Sequence, residues 1–538
     1  LARILDTVYN GDKPILCVHN GSSLLLQLTS LGGESTMKRS TLFLVLAMLV
    51  IASLVLAACP SAATPAPAAP TTAPVEAPTT APEPTAAPEP APTEAPAAAP
   101  TEAPAAAPTE APAAAPTEAP TEAPAEEPVA VEPMVLTCAE PIKIGLISDM
   151  SGALALYGVM TNRSFQLGME YASGAAGTAI DATTTSYQFG DCEVQVLLRD
   201  DKGSAELTAT LARELVERDA VDLLVGTVSS GSTATLQEIA MESQVPLIVA
   251  PAAANDITGA NFNEYTFRVS RTNYQDFINL CEYLTTQYDT FIQIAPDYSF
   301  GYGGAASARD ACTYFGGEFV ADDIFAPLDT ADFTPYMEQI ADSGAEAWIV
   351  TWAGGGFIPM FQSAKEFGVL DSMGMGASFF DNRTMAAIFG PVADKMQGQA
   401  SGILYQFQAP DNVINDWLVE QITTRYGEPP DLFDADGMNA ALLAVHALAA
   451  SGGDTSGEAL IAAMEGIDFD GPKGNIYIRP EDHVAVQDMY IIKLVDLAAP
   501  NFEMFEYVTT TRPEQPCLLP EALQDRCGDL PIGSLSGQ

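Results

Sequence analysis

The chain has 538 residues, of which 48% are apolar and 8% aromatic, enough for two or three domains with substantial cores. Lys and Arg total 22 against 70 Asp and Glu, a formal net charge of -48; such a surface repels phosphate backbones and anionic headgroups, which argues against nucleic-acid binding and serves solubility. Three histidines, His19, His446 and His483, leave too little material for a histidine-rich metal site or proton relay.

The first informative stretch begins at Met37. Lys38 and Arg39 precede an apolar run, 42–58, that ends at Cys59, so 37–58 is predicted to be an export signal. Length alone would let the run span a membrane, and an uncleaved anchor is the alternative. However, Leu56-Ala57-Ala58-Cys59 resembles the bacterial lipobox, which implies cleavage before Cys59 and lipidation of its thiol. Two acyl chains hold durably where one does not. Residues 1–36 are expected to be untranslated, ahead of a true start at Met37, because Gly33-Glu34 must be encoded by a purine-rich string placed like a ribosome-binding site. From 59 to 134 the chain is Pro, Ala, Thr and Glu, with an eight-residue repeat around Thr93, Thr101, Thr109 and Thr117. Prolines without a hydrophobic set form no core, and evenly spaced glutamates keep the segment solvated. It is expected to be a disordered tether of roughly 200 Å at full polyproline extension.

After Cys138 short apolar strands alternate with helical periods. Strands are predicted at 142–147, 194–199, 221–225 and 246–250, with helices at 162–172, 204–218 and 232–242. A second set has strands at 265–269, 291–295, 318–325 and 347–351, with helices at 275–287, 303–315, 334–341 and 357–367. Helices at 413–426 and 438–450 and strands at 475–479 and 489–494 follow. From Ala498 the pattern decays. Repeated strand–helix units imply parallel sheets covered by helices. Two such sets exceed one sheet, so the expected fold is α/β, with two doubly wound lobes joined by a hinge and a cleft at the carboxyl ends of the strands. Lobe 1 is expected at 139–262 plus about 402–474, lobe 2 at 263–401 plus about 475–500, and a tail at 501–538.

Leaving out Cys17 and Cys59, six cysteines remain in an exported chain, which suggests disulfides. Cys138 and Cys192 precede strands expected to be neighbours, Cys281 and Cys312 lie on successive helices, and Cys517 and Cys527 are close in sequence. These pairings are one choice among fifteen. No Cys-x-x-Cys spacing supports zinc.

Catalytic chemistry finds little purchase. The serine-rich turn 226–232 lacks Gly-x-Ser-x-Gly spacing, and the mature chain's histidines lie far from it in sequence. His446 reads as a packing residue on an Ala/Leu-rich helix, and His483 sits in a polar turn without an assigned role. Gly301-Tyr302-Gly303-Gly304-Ala305-Ala306 fits a dinucleotide fingerprint only loosely, because 296–300 separate it from the strand. The serine turn has a better use: backbone N–H groups and the hydroxyls of Ser229, Ser230 and Ser232 converge on a helix N-terminus, a natural carboxylate site, unless they serve only as caps. Ala250-Pro251-Ala252-Ala253-Ala254 would let a ligand approach the backbone closely, or would simply pack tightly.

From about Pro141 to Val495 the chain resembles the type I periplasmic substrate-binding proteins of the leucine/isoleucine/valine-binding family, which serve ABC importers. The similar stretches are Pro141–Gly145, Ser151-Gly152 through Tyr157-Gly158, Asp200-Asp201, Gly226–Thr233, Ala250–Ala254, Asp297-Tyr298-Ser299-Phe300-Gly301 and Thr330–Tyr336. The resemblance implies that Ser229 and Ser230, with backbone groups of Ala252 and Ala254, hold a ligand carboxylate. Tyr157 would line lobe 1, Phe300, Trp352 and Phe357 would approach from lobe 2, and Asp381 would receive an α-ammonium unless it only caps a helix. Ala254 stands where the family often has threonine and Phe300 where it has tyrosine, whereas Arg271 and Tyr274 offer another anion contact. Aromatic acids and amides therefore stand beside branched-chain amino acids as expected ligands. The implied protein is a monomer without cofactor or metal and no enzyme, lipid-anchored to the outer face of the bacterial cytoplasmic membrane, delivering solute to an ABC permease. A ligand-sensing lipoprotein on the same fold, or less readily an amidase-type enzyme, is the alternative.

Overall fold

The strand Ile142–Ser148 (β1), IKIGLIS, is buried along nearly its whole length, as the centre of a helix-covered parallel sheet requires. A computed structural model describes residues 132–537 except 383, 384 and 386–389, together with a separate antiparallel pair of two-residue strands, Val8–Tyr9 and Pro14–Ile15. The predicted export signal, Cys59 and nearly all of the tether lie outside the described residues. Among the described residues no helix is long and apolar enough to cross a membrane.

The first sheet runs in the order Thr184–Phe189 (β2), Cys192–Asp200 (β3), β1, Leu223–Val225 (β4), Leu247–Val249 (β5), Thr266–Arg268 (β6), with Thr178–Ala179 at the β2 edge. All pairings from β3 to β6 are parallel, and Ile142 stands opposite Val194. Helices Ala155–Ser173 (α1), Ala205–Arg213 (α2) and Ser230–Ser243 (α3) connect these strands. Ser204 caps α2 by accepting from the Leu207 N–H. This sheet is the base of lobe 1.

After β6 the chain crosses to lobe 2 through 269–272 and enters helix Asn273–Leu284 (α4), started by a reciprocal capping box between Thr272 and Gln275. Strand Thr290–Pro296 (β7), helix Ser299–Tyr314 (α5), strand Ile324–Ala326 (β8), helix Thr334–Asp342 (α6), strand Ala347–Val350 (β9), helix Phe357–Glu366 (α7), and strands Gly374–Ala377 (β10) and Ala400–Ile403 (β11) follow. The chain then returns to lobe 1 with helices Val413–Tyr426 (α8), Asp434–Ala450 (α9) and Gly457–Met464 (α10) and the hairpin Asp468–Gly471 (β12) and Gly474–Ile478 (β13). It crosses a third time between Val486 and Met489 into strand Met489–Leu494 (β14), and Phe505–Thr511 (β15) completes the second sheet. That sheet has the order β7, β9, β10, β11, β14, β15, with β8 paired to β7; β7 to β11 are parallel and β14 and β15 antiparallel.

These three crossings make a hinge, and the C-terminal segment beyond β15 passes between the lobes again. Disulfides join Cys138 to Cys192, Cys281 to Cys312 across α4 and α5, and Cys517 to Cys527 in the tail. The lobe 1 core packs β1, β3 and β4 against α1 and α9 through residues such as Ile144, Phe165, Val194 and Met438. A buried pair of hydrogen bonds from Arg163 to Asp434, 2.7 and 2.5 Å, pins α1 to the first turn of α9.

Several boundaries move. Strand β6 belongs to the lobe 1 sheet rather than opening lobe 2, and β13 pairs with β12 and with Ala485–Val486 rather than returning to lobe 2. Hydrophobic runs mark strands but not the sheet each strand joins, and both crossovers are therefore placed too early. The run predicted as one strand at 318–325 is two, Glu318–Phe319 and β8, separated by the exposed Asp322 region. The tail is ordered: β15 shows mostly exposed side chains, FEYVTTT, and so carries no hydrophobic signal. At the other end, the Met134 N–H donates to Ala172 O at 2.8 Å, so the last residue assigned to the tether is docked.

Candidate ligand-binding site

Residues following the carboxyl ends of parallel strands in both sheets meet around a small cavity between the lobes, the place that open α/β sheets offer a ligand. Lobe 1 contributes Leu154 and Tyr157 after β1, Val228 and Ser230 after β4, and Pro251, Ala252 and Ala253 after β5. Phe433, at the N-cap of α9, and Arg271, in the first crossover, close that side. Lobe 2 supplies Tyr298 and Phe300 after β7, Ala353 after β9 and Phe379 after β10. The lobes are closed on one another: the Gly354 N–H donates to Tyr157 Oη at 3.2 Å, and Asn255 Nδ2 donates to Ser307 Oγ at 2.8 Å and to Gly303 O at 3.2 Å.

The serine turn is shaped by Gly226, at φ +135°, where a Cβ would sit 2.1 Å from Ile147 O. Only glycine fits there. The turn delivers Ser230 as the first residue of α3, a 14-residue helix whose N-terminal N–H groups favour an anion. Ser230 Oγ accepts from the Ala254 N–H at 3.3 Å, linking the two turns. Small side chains at 252 and 253 leave the backbone within a ligand's reach.

Arg271 is 2% exposed, yet it lines the cavity. Its Nη1 donates to Pro251 O at 2.6 Å, and its guanidinium lies 5.2 Å from the Phe433 ring and 5.9 Å from that of Phe379. Nε stands 3.3 Å from Asp276 Oδ1, an ion-pair distance without hydrogen-bond alignment. Behind it, Asp276, Asp436 and Lys473 are buried, and their charged atoms have no hydrogen-bond partner among the described residues. Burial pushes Asp276 and Asp436 up to about 6 and Lys473 down to about 8, against the opposing pull of their neighbours' charges. Burial, then the charge of Asp381, raises the Tyr157 phenol and lifts Asp431 to about 8. No carboxylate side chain is among the described residues that line the cavity.

Of the residues singled out by sequence, Tyr157, Ser230, Ala252, Phe300 and Arg271 are brought together here. Ser229 is the N-cap of α3 and uses its carbonyl to accept from Thr233. Ala254 turns its N–H to Ser230 rather than to the cavity. Trp352 is buried in the lobe 2 core against Phe333, and Phe357 stacks with Phe361 one layer behind Phe379. Asp381 is buried behind the wall, where the Asn382 N–H donates to Asp431 at 3.0 Å. Tyr274 points away from the cleft, its Oη donating to Asp310 at 2.5 Å. Gly301 lies inside α5, where a Cβ would meet Pro296 O at 1.8 Å; it permits close helix–strand packing and forms no phosphate loop. His446 is half-buried beside Phe469, and His483 is buried, stacked 3.9 Å from Phe267. Nothing in the sequence marks Phe379 and Phe433 as wall residues, because aromatic residues at strand and helix ends look like ordinary core; Tyr298 lies in a family-like stretch that assigns it no role. No group of three or more potential metal-ligating side chains occurs among the described residues.

The sequence pattern of periplasmic binding proteins matches residues 141–498. The chain belongs to the periplasmic binding protein family. A Leu/Ile/Val-binding protein homolog from Brucella melitensis is 26% identical over 360 residues, covering 66% of this chain and 87% of that protein. The structure of an ABC-type branched-chain amino acid transporter protein from Rhodopseudomonas palustris superposes with a TM-score of 0.57 at 30% identity, covering 69% of this chain and 96% of that one. A solute-binding protein from another R. palustris strain, solved with 3,4-dihydroxybenzoic acid, gives 0.60 at 24% identity, covering 69% and 97%. This binding protein is thus a solute-binding component of the ABC-transporter type and not an enzyme, and its two α/β lobes are those expected from its sequence.

Proposed function

We propose that this binding protein captures a small apolar carboxylate, foremost an aromatic acid, between its lobes and hands it to a membrane permease while a lipid on Cys59 holds it at the outer face of the cytoplasmic membrane. One observation carries the choice of ligand: a buried guanidinium, Arg271, faces a cavity walled by aromatic rings, and no carboxylate side chain lines that cavity among the described residues. A carboxylate resting on Arg271, Ser230 and the N-terminus of α3 exchanges water for charge-assisted hydrogen bonds. An α-ammonium has no comparable partner, and burying it unpaired is costly. Amino acids, the ligands implied by the Leu/Ile/Val-binding relatives, are therefore expected to bind more weakly.

Ligand that touches both lobes binds the closed form better than the open one and shifts the population towards it. The test is thermal unfolding of the full chain with benzoate, 4-hydroxybenzoate, benzamide, leucine and phenylalanine. At 100 times its dissociation constant a ligand adds about 2.7 kcal/mol. Benzoates are expected to raise the midpoint most, benzamide and the amino acids much less. Stabilisation by leucine but not by benzoate would replace the aromatic acid with an amino acid; stabilisation by none, with hydrolysis of benzamide, would replace the binder with an amidase.

A further inference from the structure

The family match ends at residue 498, yet the ordered chain continues to 537. This C-terminal segment leaves one lobe, grips the other and returns. It starts in lobe 2, where β15 pairs with β14. Arg512 then reaches lobe 1, donating to Asn475 O at 3.0 Å and Val486 O at 3.1 Å. Gln515 accepts from Arg479 Nη1 at 2.9 Å through its carbonyl and from the Thr272 hydroxyl through its side chain, both beside the hinge crossovers. The loop closed by Cys517 and Cys527 lies on lobe 1, where Arg526 pairs with Glu465 at 2.9 Å, donates to Pro480 O at 2.7 Å and sits 5.1 Å from the Phe262 ring. The last turn comes back to lobe 2: the Leu535 N–H donates to Asp310 on α5 at 2.9 Å, and Leu518 and Leu535 pack on the α4–α5 core beside Tyr274 and Phe277.

These contacts span the junction that must move. Helix α5, which carries Asp310, also carries Gly303 and Ser307, the partners of Asn255 across the cleft. Swinging α5 away from lobe 1 separates Asp310 from Phe262 and Glu465, and the tail then keeps only one of its two feet. The disulfide limits how far the loop can stretch to follow.

We propose that residues 512–537 form a disulfide-closed clasp that holds the two lobes together in the absence of ligand. The fraction of closed protein sets how much of the intrinsic affinity is realised. The clasp therefore tightens capture and slows release, whatever the solute is.

Hydrogen–deuterium exchange of the ligand-free full chain tests this without knowledge of the ligand. In the double variant Arg526→Ala/Leu535→Ala, amides of 252–255 and 299–304, at the lobe junction, are expected to exchange at least tenfold faster, while those of β1 and β7 keep their protection. Unchanged exchange at the junction would overturn the clasp. So would faster exchange spread through β1 and β7, which would make the tail an ordinary part of the lobe 1 fold. Arg526→Ala alone removes a side chain that is 36% exposed and leaves the disulfide and Leu535 in place. It is expected to give a smaller acceleration confined to the same segments, and it decides the question if the double variant does not fold.

Discussion

The two lobes face the same cavity with different chemistry. Lobe 1 and its crossover present Ser230, the N-terminus of α3 and Arg271, whereas lobe 2 presents Tyr298, Phe300, Phe379 and Ala353 and no charged side chain among the described residues. Polar recognition is thus concentrated in the short turn that follows the fully buried β4, which carries Ser230, and in the first crossover, which carries Arg271. Enclosure is left to aromatic faces, which tolerate sliding as the lobes close. A division of this kind lets one lobe choose the head group and the other the body of the ligand.

The contrast between the lobes breaks most sharply at Arg271. Arg271→Met is expected to weaken benzoate by about 3 kcal/mol or more, over a hundredfold, because a carboxylate left without its buried counter-charge bears the full cost of desolvation. Ser230→Ala removes one hydrogen bond to the same group and is expected to cost about 1 to 3 kcal/mol. Benzamide, which carries no charge, should lose little in Arg271→Met. Calorimetric titration of both variants with both ligands checks this; equal losses for benzoate and benzamide would remove Arg271 as the anion's partner.

Next in size is the buried charge behind Arg271. Asp276 and Asp436 have folded-state values of about 6, above their unfolded values, so the folded state binds more protons between roughly pH 4 and 6. Their contribution to stability is complete below the unfolded value and is lost as pH rises through 6. Lys473, lowered to about 8, contributes above its unfolded value and loses that contribution as pH falls through 8. Asp436→Asn should flatten the fall in stability between pH 4 and 6 by up to about 3 kcal/mol, the equivalent of its displacement. Urea unfolding of the ligand-free protein at several pH values reads this directly, and parallel slopes for parent and variant would contradict it.

Much of the fold is legible in the sequence because parallel strands buried on both faces leave continuous apolar runs. The predicted β1 and β14 and helices α6 and α8 lie within a residue of where they occur. Strands with little hydrophobic content are not legible: β10, GMGA, and β11, ASGI, pack through small residues and read as loop. The cavity lining is legible where local geometry fixes position, as at Ser230 after a glycine-shaped turn. It is not legible where tertiary packing decides which side of an element a residue faces. Trp352 and Phe357 turn into the lobe 2 core, whereas Phe433, at a helix end that no motif marks and far from Tyr157 in sequence, forms part of the wall at a ring separation of 5.1 Å from that tyrosine.

The smallest effect probes closure itself. Tyr157 belongs to lobe 1, and its Oη accepts from the Gly354 N–H of lobe 2 at 3.2 Å, a bond that exists only while the lobes are shut. Tyr157→Phe keeps the edge-on ring contacts with Phe433 and Phe379 and removes the acceptor. The loss of one neutral hydrogen bond is about 0.5 to 1.5 kcal/mol, at most about tenfold in affinity. Since the bond joins protein to protein, benzoate and benzamide should weaken by the same factor, in contrast to the charge-selective loss at Arg271. A variant that weakens benzoate alone would mean that the phenol serves the ligand's head group directly and that selection is shared between Tyr157 and Arg271.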